Sequence, residues 1–268
     1  MKFIQISDLH LTQPGEKVWG LDPLERFERC IEDIVRHHSD ARFCVLTGDL
    51  GETGTKEAYE ALQDRLRRLP FKSFVMVGNH DDRDNFKSVF GTAHCDESGF
   101  VQSACAIEGR HFLFLDTLKG GATSAGSYCE ARRAWLKDRL CEAEDQPVFL
   151  FMHHPPFDIG HDLMDLIKLE DAESFHQLIS AHNVRHLFFG HAHRPVSGVW
   201  RGIPFAAPPS LNHQLPLVGG AVATVYSDEP AMYAVVMAEA DRTIVHMDAF
   251  LDRKPARMGE EQERGNWY

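Results

Sequence analysis

Short apolar runs alternate with longer amphipathic stretches through the first half of this chain. Phe3–Ile6 reads as a strand, and Pro23–His38 as a helix with Leu24, Phe27, Ile31, Ile34 and Val35 on one face. Phe43–Leu46 is the next strand, followed by a helix from about Lys56 to Leu69 that Pro70 stops. Phe74–Val77 is a third strand and runs directly into Gly78-Asn79-His80. Strands alternating with helices predict a parallel sheet with its functional residues at the strands' C-terminal ends.

The second half is richer in strands. Phe100–Ile107 and His111–Leu115 predict an antiparallel pair around Glu108-Gly109-Arg110, and a helix covers roughly Glu130–Cys141. Val148–Met152 and His186–Phe189 read as buried strands. Val196–Trp200, Ile203–Phe205, Ala221–Val225, Met232–Met237 and Thr243–Phe250 suggest an antiparallel run. The pattern predicts an α/β sandwich of two sheets between helices, as one domain over residues 1–251. Residues 252–268 are charged, nearly free of aliphatics, and read as a surface tail.

Length and composition agree with one large globular core: 268 residues, 43% apolar and 25% charged. The net charge of -12, from 28 basic and 40 acidic residues, argues against long nucleic acid as a partner. An acidic protein can still handle an anion if bound cations supply the local positive field. Six cysteines, Cys30, Cys44, Cys95, Cys105, Cys129 and Cys141, show no C-x-x-C spacing. They are expected to be reduced, mostly buried thiols of a cytoplasmic protein. No signal peptide and no membrane-spanning apolar run is read, so no membrane partner is expected.

Five polar clusters follow or end apolar strands: Asp8-Leu9-His10, Gly48-Asp49, Gly78-Asn79-His80, His153-His154 and Gly190-His191-Ala192-His193. Strand ends of a parallel sheet converge on one crevice, so clusters far apart in sequence can meet there. Asp8 and His10 lie two apart, as do His191 and His193, and extended alternation would turn each pair to one side. Each motif alone is weak, and a glycine before Asp49, Asn79 or His191 could merely mark a turn. Their co-occurrence is what points to metal, because polar groups at buried strand ends are costly unless satisfied. Four imidazoles, two carboxylates and one amide make seven nitrogen and oxygen ligands, too many for one tetrahedral zinc. The set suits two ions sharing a bridging carboxylate and a bridging water, with Mn, Fe, Co or Zn favoured over Mg or Ca.

These blocks, in the order D-L-H, G-D, G-N-H, H-H-P-P and G-H-A-H, resemble the calcineurin-like metallophosphoesterases. The resemblance spans Ile4 to His193, 190 of 268 residues. Gly15-Glu16-Lys17, Gly78-Asn79-His80-Asp81-Asp82, Met152-His153-His154-Pro155-Pro156, Gly160 and Met164-Asp165 are most similar to one branch. It holds the bacterial glycerophosphodiesterases and class III cyclic-nucleotide phosphodiesterases. The resemblance implies a four-layer αββα sandwich of two mixed sheets flanked by helices, holding two divalent or trivalent metal ions per chain. It implies Asp8, His10 and His193 on the first ion, Asn79, His153 and His191 on the second, and Asp49 bridging both. His80 would touch the phosphate or assist the leaving group, and His154 would play a supporting or structural part.

The expected activity is hydrolysis of small phosphodiesters, cyclic 3′,5′-nucleotides or glycerophosphodiesters, by in-line attack of a metal-bridging hydroxide. Two divalent ions, Asp8, Asp49 and the hydroxide sum to about +1, which suits a singly charged diester. In the protein-phosphatase branch of this family the Asp49 block usually carries an arginine that pairs with the second phosphate charge. Here it reads Gly48-Asp49-Leu50-Gly51-Glu52-Thr53-Gly54, without arginine, which favours diesters over dianionic monoesters. Arg83 and Arg194 lie near the motifs and read as surface salt-bridge residues.

Residues from about 155 to 170 predict a cap loop or short helix over the crevice. Phe157, His161, Met164 and Asp165 are pocket candidates there, against a reading in which Met164 and Leu166 simply pack in the core. Pro208–His213 is a second rim, with His213 a candidate substrate contact. His37, His38, His94, His111, His176, His182, His186 and His246 lack ligand spacing and read as surface or core residues. Rival readings are a phosphomonoesterase or nuclease of the same fold, and a non-catalytic metal-binding scaffold. Homo-oligomer formation is left open.

Overall fold

The apolar runs assemble as two sheets. The first has the order β11-β10-β1-β2-β3. Its strands β1 (Lys2–Ile6), β2 (Phe43–Thr47) and β3 (Lys72–Met76) run parallel. β10 (Met232–Ala238) lies antiparallel on β1, and β11 (Thr243–Ala249) antiparallel on β10. The second sheet has the order β4-β5-β6-β7-β9-β8. Parallel strands β5 (Arg110–Phe114), β6 (Val148–Phe151), β7 (Val184–Phe188) and β9 (Ile203–Ala207) form its centre. Antiparallel β4 (Ser103–Ile107) and β8 (Val196–Trp200) form its edges. This computed structural model describes residues 1–217, 225–251 and 253.

Strand alternation sorts the apolar residues into three cores. Phe3, Phe43, Phe74, Phe112, Phe114, Phe149, Phe151 and Phe188 face one another between the sheets. Several pair ring on ring, such as Phe74 with Phe114 at 4.4 Å and Phe3 with Phe43 at 4.8 Å. Such pairs contribute about 0.5–1.5 kcal/mol each beyond the area they bury. The alternate positions Ile4, Ile6, Cys44 and Leu46 point outward, where α1 (Pro23–His37), α2 (Lys56–Leu66) and α3 (Arg83–Phe90) cover them. On the other side α4 (Glu130–Ala143) and α5 (Ala172–Ile179) cover Leu113, Leu150 and Leu187. The result is the expected four-layer αββα sandwich. Burial on both faces is why these strands read as continuous apolar runs.

Some expected boundaries change. α2 ends at Leu66 because the chain turns through Arg67–Leu69 ahead of Pro70. Phe100–Gln102 does not join β4. Phe100 N–H bonds the Asp96 carboxylate at 2.9 Å and Val101 N–H the Asp116 carboxylate at 2.9 Å, outside any ladder. α3 and α5, of eight residues each, were not expected. Arg83 is a salt-bridge residue, but its partner is the fully buried Asp116, at 2.7 Å. Of the cysteines only Cys30 and Cys44 are buried; Cys129 and Cys141 are exposed, so the expectation of mostly buried thiols is corrected. All six are free. Ala221–Val225 lies outside the described residues except Val225, and so does the tail except Arg253, which pairs with Asp33 and Asp248. No described helix is long and apolar enough to cross a membrane.

His186 is a core residue with a pH signature. It shares the inward face of β7 with Phe188, stacked at 4.3 Å, and neither ring nitrogen has a hydrogen-bond partner. Burial pushes this imidazole down to about 4. In the unfolded chain it titrates near 6.5, so between those values the unfolded state binds the extra proton. Stability is therefore lost as pH falls from about 6.5 to about 4, by up to about 3 kcal/mol. His186→Phe is expected to be more stable relative to the parent at pH 4.5 than at pH 7.5, measured by urea denaturation. An equal difference at both pH values would show that His186 is not buried neutral.

Candidate metal centre

Six strand ends open on one edge of the sandwich. Asp8 and His10 follow β1, Asp49 follows β2, and Asn79 and His80 follow β3. His153 follows β6, His191 and His193 follow β7, and His213 follows β9. All seven expected ligand residues meet here. Asp8, His10, Asp49 and His193 bring ligand atoms within 4.8 Å of one another, and all four are buried. His153 Nε2 lies 3.1 Å from Asn79 Oδ1 and 3.3 Å from Asp49 Oδ2. Asp49 Oδ2 also lies 3.8 Å from His10 Nε2, so Asp49 stands between the two groups.

The local backbone is not the extended one that spacing suggested. Asp8, His10, Asp49, His191 and His193 have φ between 48° and 64°, in the left-handed region. Non-glycine residues rarely adopt it, at a cost on the order of 1–3 kcal/mol each. Cross-loop bonds hold them: Asp8 N–H to Gly48 O at 3.1 Å, His10 N–H to Asp49 O at 3.0 Å, and His191 N–H to Asp8 Oδ1 at 3.0 Å. Left-handed turns, not strand alternation, aim each pair into the crevice. Gly48 combines a φ of 95° with a close approach: a Cβ there would meet His153 Nδ1 at 2.5 Å. Asp81 joins two ligand loops, its carboxylate accepting from Gly78, Leu50 and Gly51 N–H and from the Tyr59 hydroxyl.

Outer hydrogen bonds set the tautomers. His10 Nδ1 faces Glu52 Oε2 at 2.7 Å, and His193 Nδ1 faces the His213 carbonyl at 2.9 Å. Both oxygens accept, so each Nδ1 carries hydrogen, and a ring without a second proton keeps its lone pair on Nε2. Those two Nε2 atoms stand 3.0 Å apart. Two lone pairs at that distance repel unless a proton or a cation lies between them. His191 Nε2 is buried with no hydrogen-bond partner among the described residues. The donor set is nitrogen and oxygen throughout, so these residues fit Mn, Fe, Co or Zn.

The charge states agree with ligation. Burial would raise the Asp49 carboxyl, but His153, His80 and His10 hold it well below the usual carboxylate range. Burial, reinforced by neighbouring imidazoles, pushes His10 and His191 well below the ordinary histidine value, so both are neutral. His153 is the exception: against the pull of burial, Asp49 and Asp8 raise it to about 9. A cation binding at His153 therefore displaces a proton.

Beside these residues lies a cavity of ≈ 260 Å³. His80 lines it, with N–H bonded to Asp49 Oδ1 at 2.9 Å and Nδ1 to the Glu52 carbonyl at 2.8 Å, leaving Nε2 available. Burial opposes protonation of His80, but Asp49 and Glu52 raise it overall. His213 also lines the cavity, as expected of a rim contact. The His154 nitrogens bond Thr117 Oγ1 at 2.8 Å and the Ser124 carbonyl at 3.1 Å. Of the four pocket candidates after His153 only Met164 lines the cavity. Phe157 packs on Trp200 and Phe205, and Asp165 accepts from Ile159 N–H. Leu166 is exposed rather than packed in the core.

Trp19, Glu52, Leu163, Ile167, Leu215 and Tyr226 also line the cavity and were not singled out by sequence. Glu52 alone carried a signal, as the acid standing in the Asp49 loop. No lysine or arginine is among the described lining residues. Arg83 bonds Asp116, and Arg194 bonds the Leu215 carbonyl at 2.6 Å.

A family model described as calcineurin-like phosphoesterase matches residues 1–195. A probable cyclic nucleotide phosphodiesterase of Rhodopseudomonas palustris is 41% identical, covering 94% of this chain and 93% of its own length. A probable glycerophosphodiester phosphodiesterase of Arcobacter nitrofigilis is 29% identical, covering 81% of each. Among solved structures, a purple acid phosphatase of yellow lupin seeds superposes with a TM-score of 0.61 at 10% identity. It covers 94% of this chain and 52% of the lupin chain, and it bears on the fold alone.

Proposed function

This chain belongs to the calcineurin-like phosphoesterase family, and on that premise we propose that it hydrolyses small phosphodiesters at a pair of transition-metal ions. The candidate substrates are cyclic 3′,5′-nucleotides and glycerophosphodiesters. The observation that carries the reading is the position of Asp49, whose Oδ2 faces His153 Nε2 at 3.3 Å on one side and His10 Nε2 at 3.8 Å on the other. In this reading Asp8, His10 and His193 hold one ion, Asn79, His153 and His191 the other, and Asp49 both. The bound ions would supply a water of lowered pKa and a positive field for the phosphoryl oxygens.

The chain's own groups do the rest. Asp8 and Asp49 hold the ions and keep the balance of charge suited to a monoanion. His80, favouring its protonated form and facing the cavity through Nε2, donates the proton that the departing alkoxide needs. The described lining, which holds no lysine or arginine, supports a singly charged diester over a dianionic monoester, which would call for a bidentate cation. Six free thiols fit a reducing compartment such as the cytoplasm.

The test compares bis(p-nitrophenyl) phosphate with p-nitrophenyl phosphate on metal-loaded protein. The diester is expected to turn over at least about tenfold faster, since one unmatched charge in such a site costs more than about 1.4 kcal/mol. Faster monoester turnover would favour the phosphomonoesterase reading, and no turnover of either would favour a non-catalytic scaffold.

A further inference from the structure

At the mouth of the cavity a two-residue hairpin turn carries a tryptophan where such a turn disfavours one. Val18 N–H bonds Leu21 O at 2.9 Å and Leu21 N–H bonds Val18 O at 3.0 Å, closing the turn over Trp19 and Gly20. Both central residues have positive φ, 53° at Trp19 and 82° at Gly20. Turns of this kind favour Asn, Asp or Gly at both positions, and a bulky aromatic in the left-handed region is strained. Trp19 is also 60% exposed. Neither the local conformation nor the burial explains an indole at this position.

Its surroundings suggest a use. The Trp19 ring stacks on Tyr226 at 3.9 Å with 29° between planes. Tyr226 meets His213 edge-on at 4.7 Å, and the His213 ring lies 4.9 Å from that of His10. An aromatic file therefore runs from the hairpin tip to the metal ligands. Leu163, Met164, Ile167 and Leu215 add apolar side chains to the same lining.

We propose that Trp19, backed by Tyr226, is a specificity-determining platform on which the base of a cyclic 3′,5′-nucleotide stacks. This rests on the diester reading and chooses between its two substrate classes. A quaternary ammonium headgroup would need several aromatic faces turned toward one point. Here Trp19 and Tyr226 turn one face each on the other, which leaves a single slab. A slab suits a planar base, whose stacking is insensitive to the identity of the base. The Glu52 carboxylate, the acidic group that would otherwise recruit a cation, is bonded to His10.

The test uses full-length, metal-loaded protein and the variants Trp19→Ala, Trp19→Phe and Trp19→Asn, with cAMP, glycerophosphocholine and glycerophosphoethanolamine as substrates. In Trp19→Ala the ratio of kcat/KM for cAMP to that for glycerophosphoethanolamine is expected to fall about tenfold or more, mainly through KM. Trp19→Phe should keep most of the ratio. Trp19→Asn suits the turn, so it should melt no lower than the parent while losing the ratio, which separates recognition from misfolding. AMP should quench tryptophan fluorescence in the parent and less in Trp19→Phe. An unchanged ratio, or an equal loss for glycerophosphocholine and cAMP, would overturn the base platform. If the parent hydrolyses none of the three, the diester reading fails, while AMP quenching lost in Trp19→Phe would still support the platform.

Discussion

Asp49→Ala is expected to lose diester hydrolysis on the order of 10³-fold in kcat/KM, the rate equivalent of several kcal/mol of metal-derived stabilisation. The size follows from where the carboxylate stands. It lies between His10 and His153, and it accepts the N–H of His80 at 2.9 Å. Removing it takes away a carboxylate that faces a candidate ligand of each set, and the anchor of the candidate proton donor. Asp49→Asn keeps an acceptor for His80 but not the charge. It should therefore resemble Asp49→Ala in activity while holding His80 in place. Activity of Asp49→Ala within tenfold of the parent, in a variant whose thermal unfolding stays cooperative, would remove Asp49 from the bridging position.

What sequence made legible, and what it hid, follows from the range of the interactions. The ligand blocks could be found because each is short, polar and set directly after an apolar strand. The parallel sheets then bring those strand ends together. The phenylalanine layer was not singled out, because Phe3, Phe43 and Phe74 come to share an inward face only once their strands are paired. The local geometry was not legible either. Asp8-Leu9-His10 has the spacing of a strand, and only bonds from the Gly48–Leu50 loop turn it left-handed. α3 and α5 escaped because eight-residue helices present barely two turns of pattern, even though Asp82 caps α3 through Asp84 and Asn85 N–H. The aromatic mouth was invisible for another reason. Trp19 and Tyr226 belong to no motif and meet only because the fold places the Val18–Leu21 turn beside the segment after His213. Asp116, buried between Arg83 and Arg132, is likewise defined by partners distant in sequence.

His191 Nε2 lacks a hydrogen-bond partner among the described residues, and the His10 and His193 Nε2 atoms face each other at 3.0 Å. Both features leave ring nitrogens that a bound cation would satisfy. At a thousandfold excess over Kd, one bound ion stabilises the fold by about 4 kcal/mol. In a chain of this size each kcal/mol is worth about 2–4 °C. Stripping the protein with a chelator is thus expected to lower Tm by at least about 10 °C, and restoring Mn²⁺ or Zn²⁺ to recover it. The deciding measurement is calorimetric titration of the stripped protein with either ion, with the metal retained after dialysis counted by elemental analysis. Two equivalents per chain in the parent, and a loss of paired binding in Asp49→Ala, are the predicted result. No retained metal, or a single equivalent that Asp49→Ala leaves intact, would contradict it.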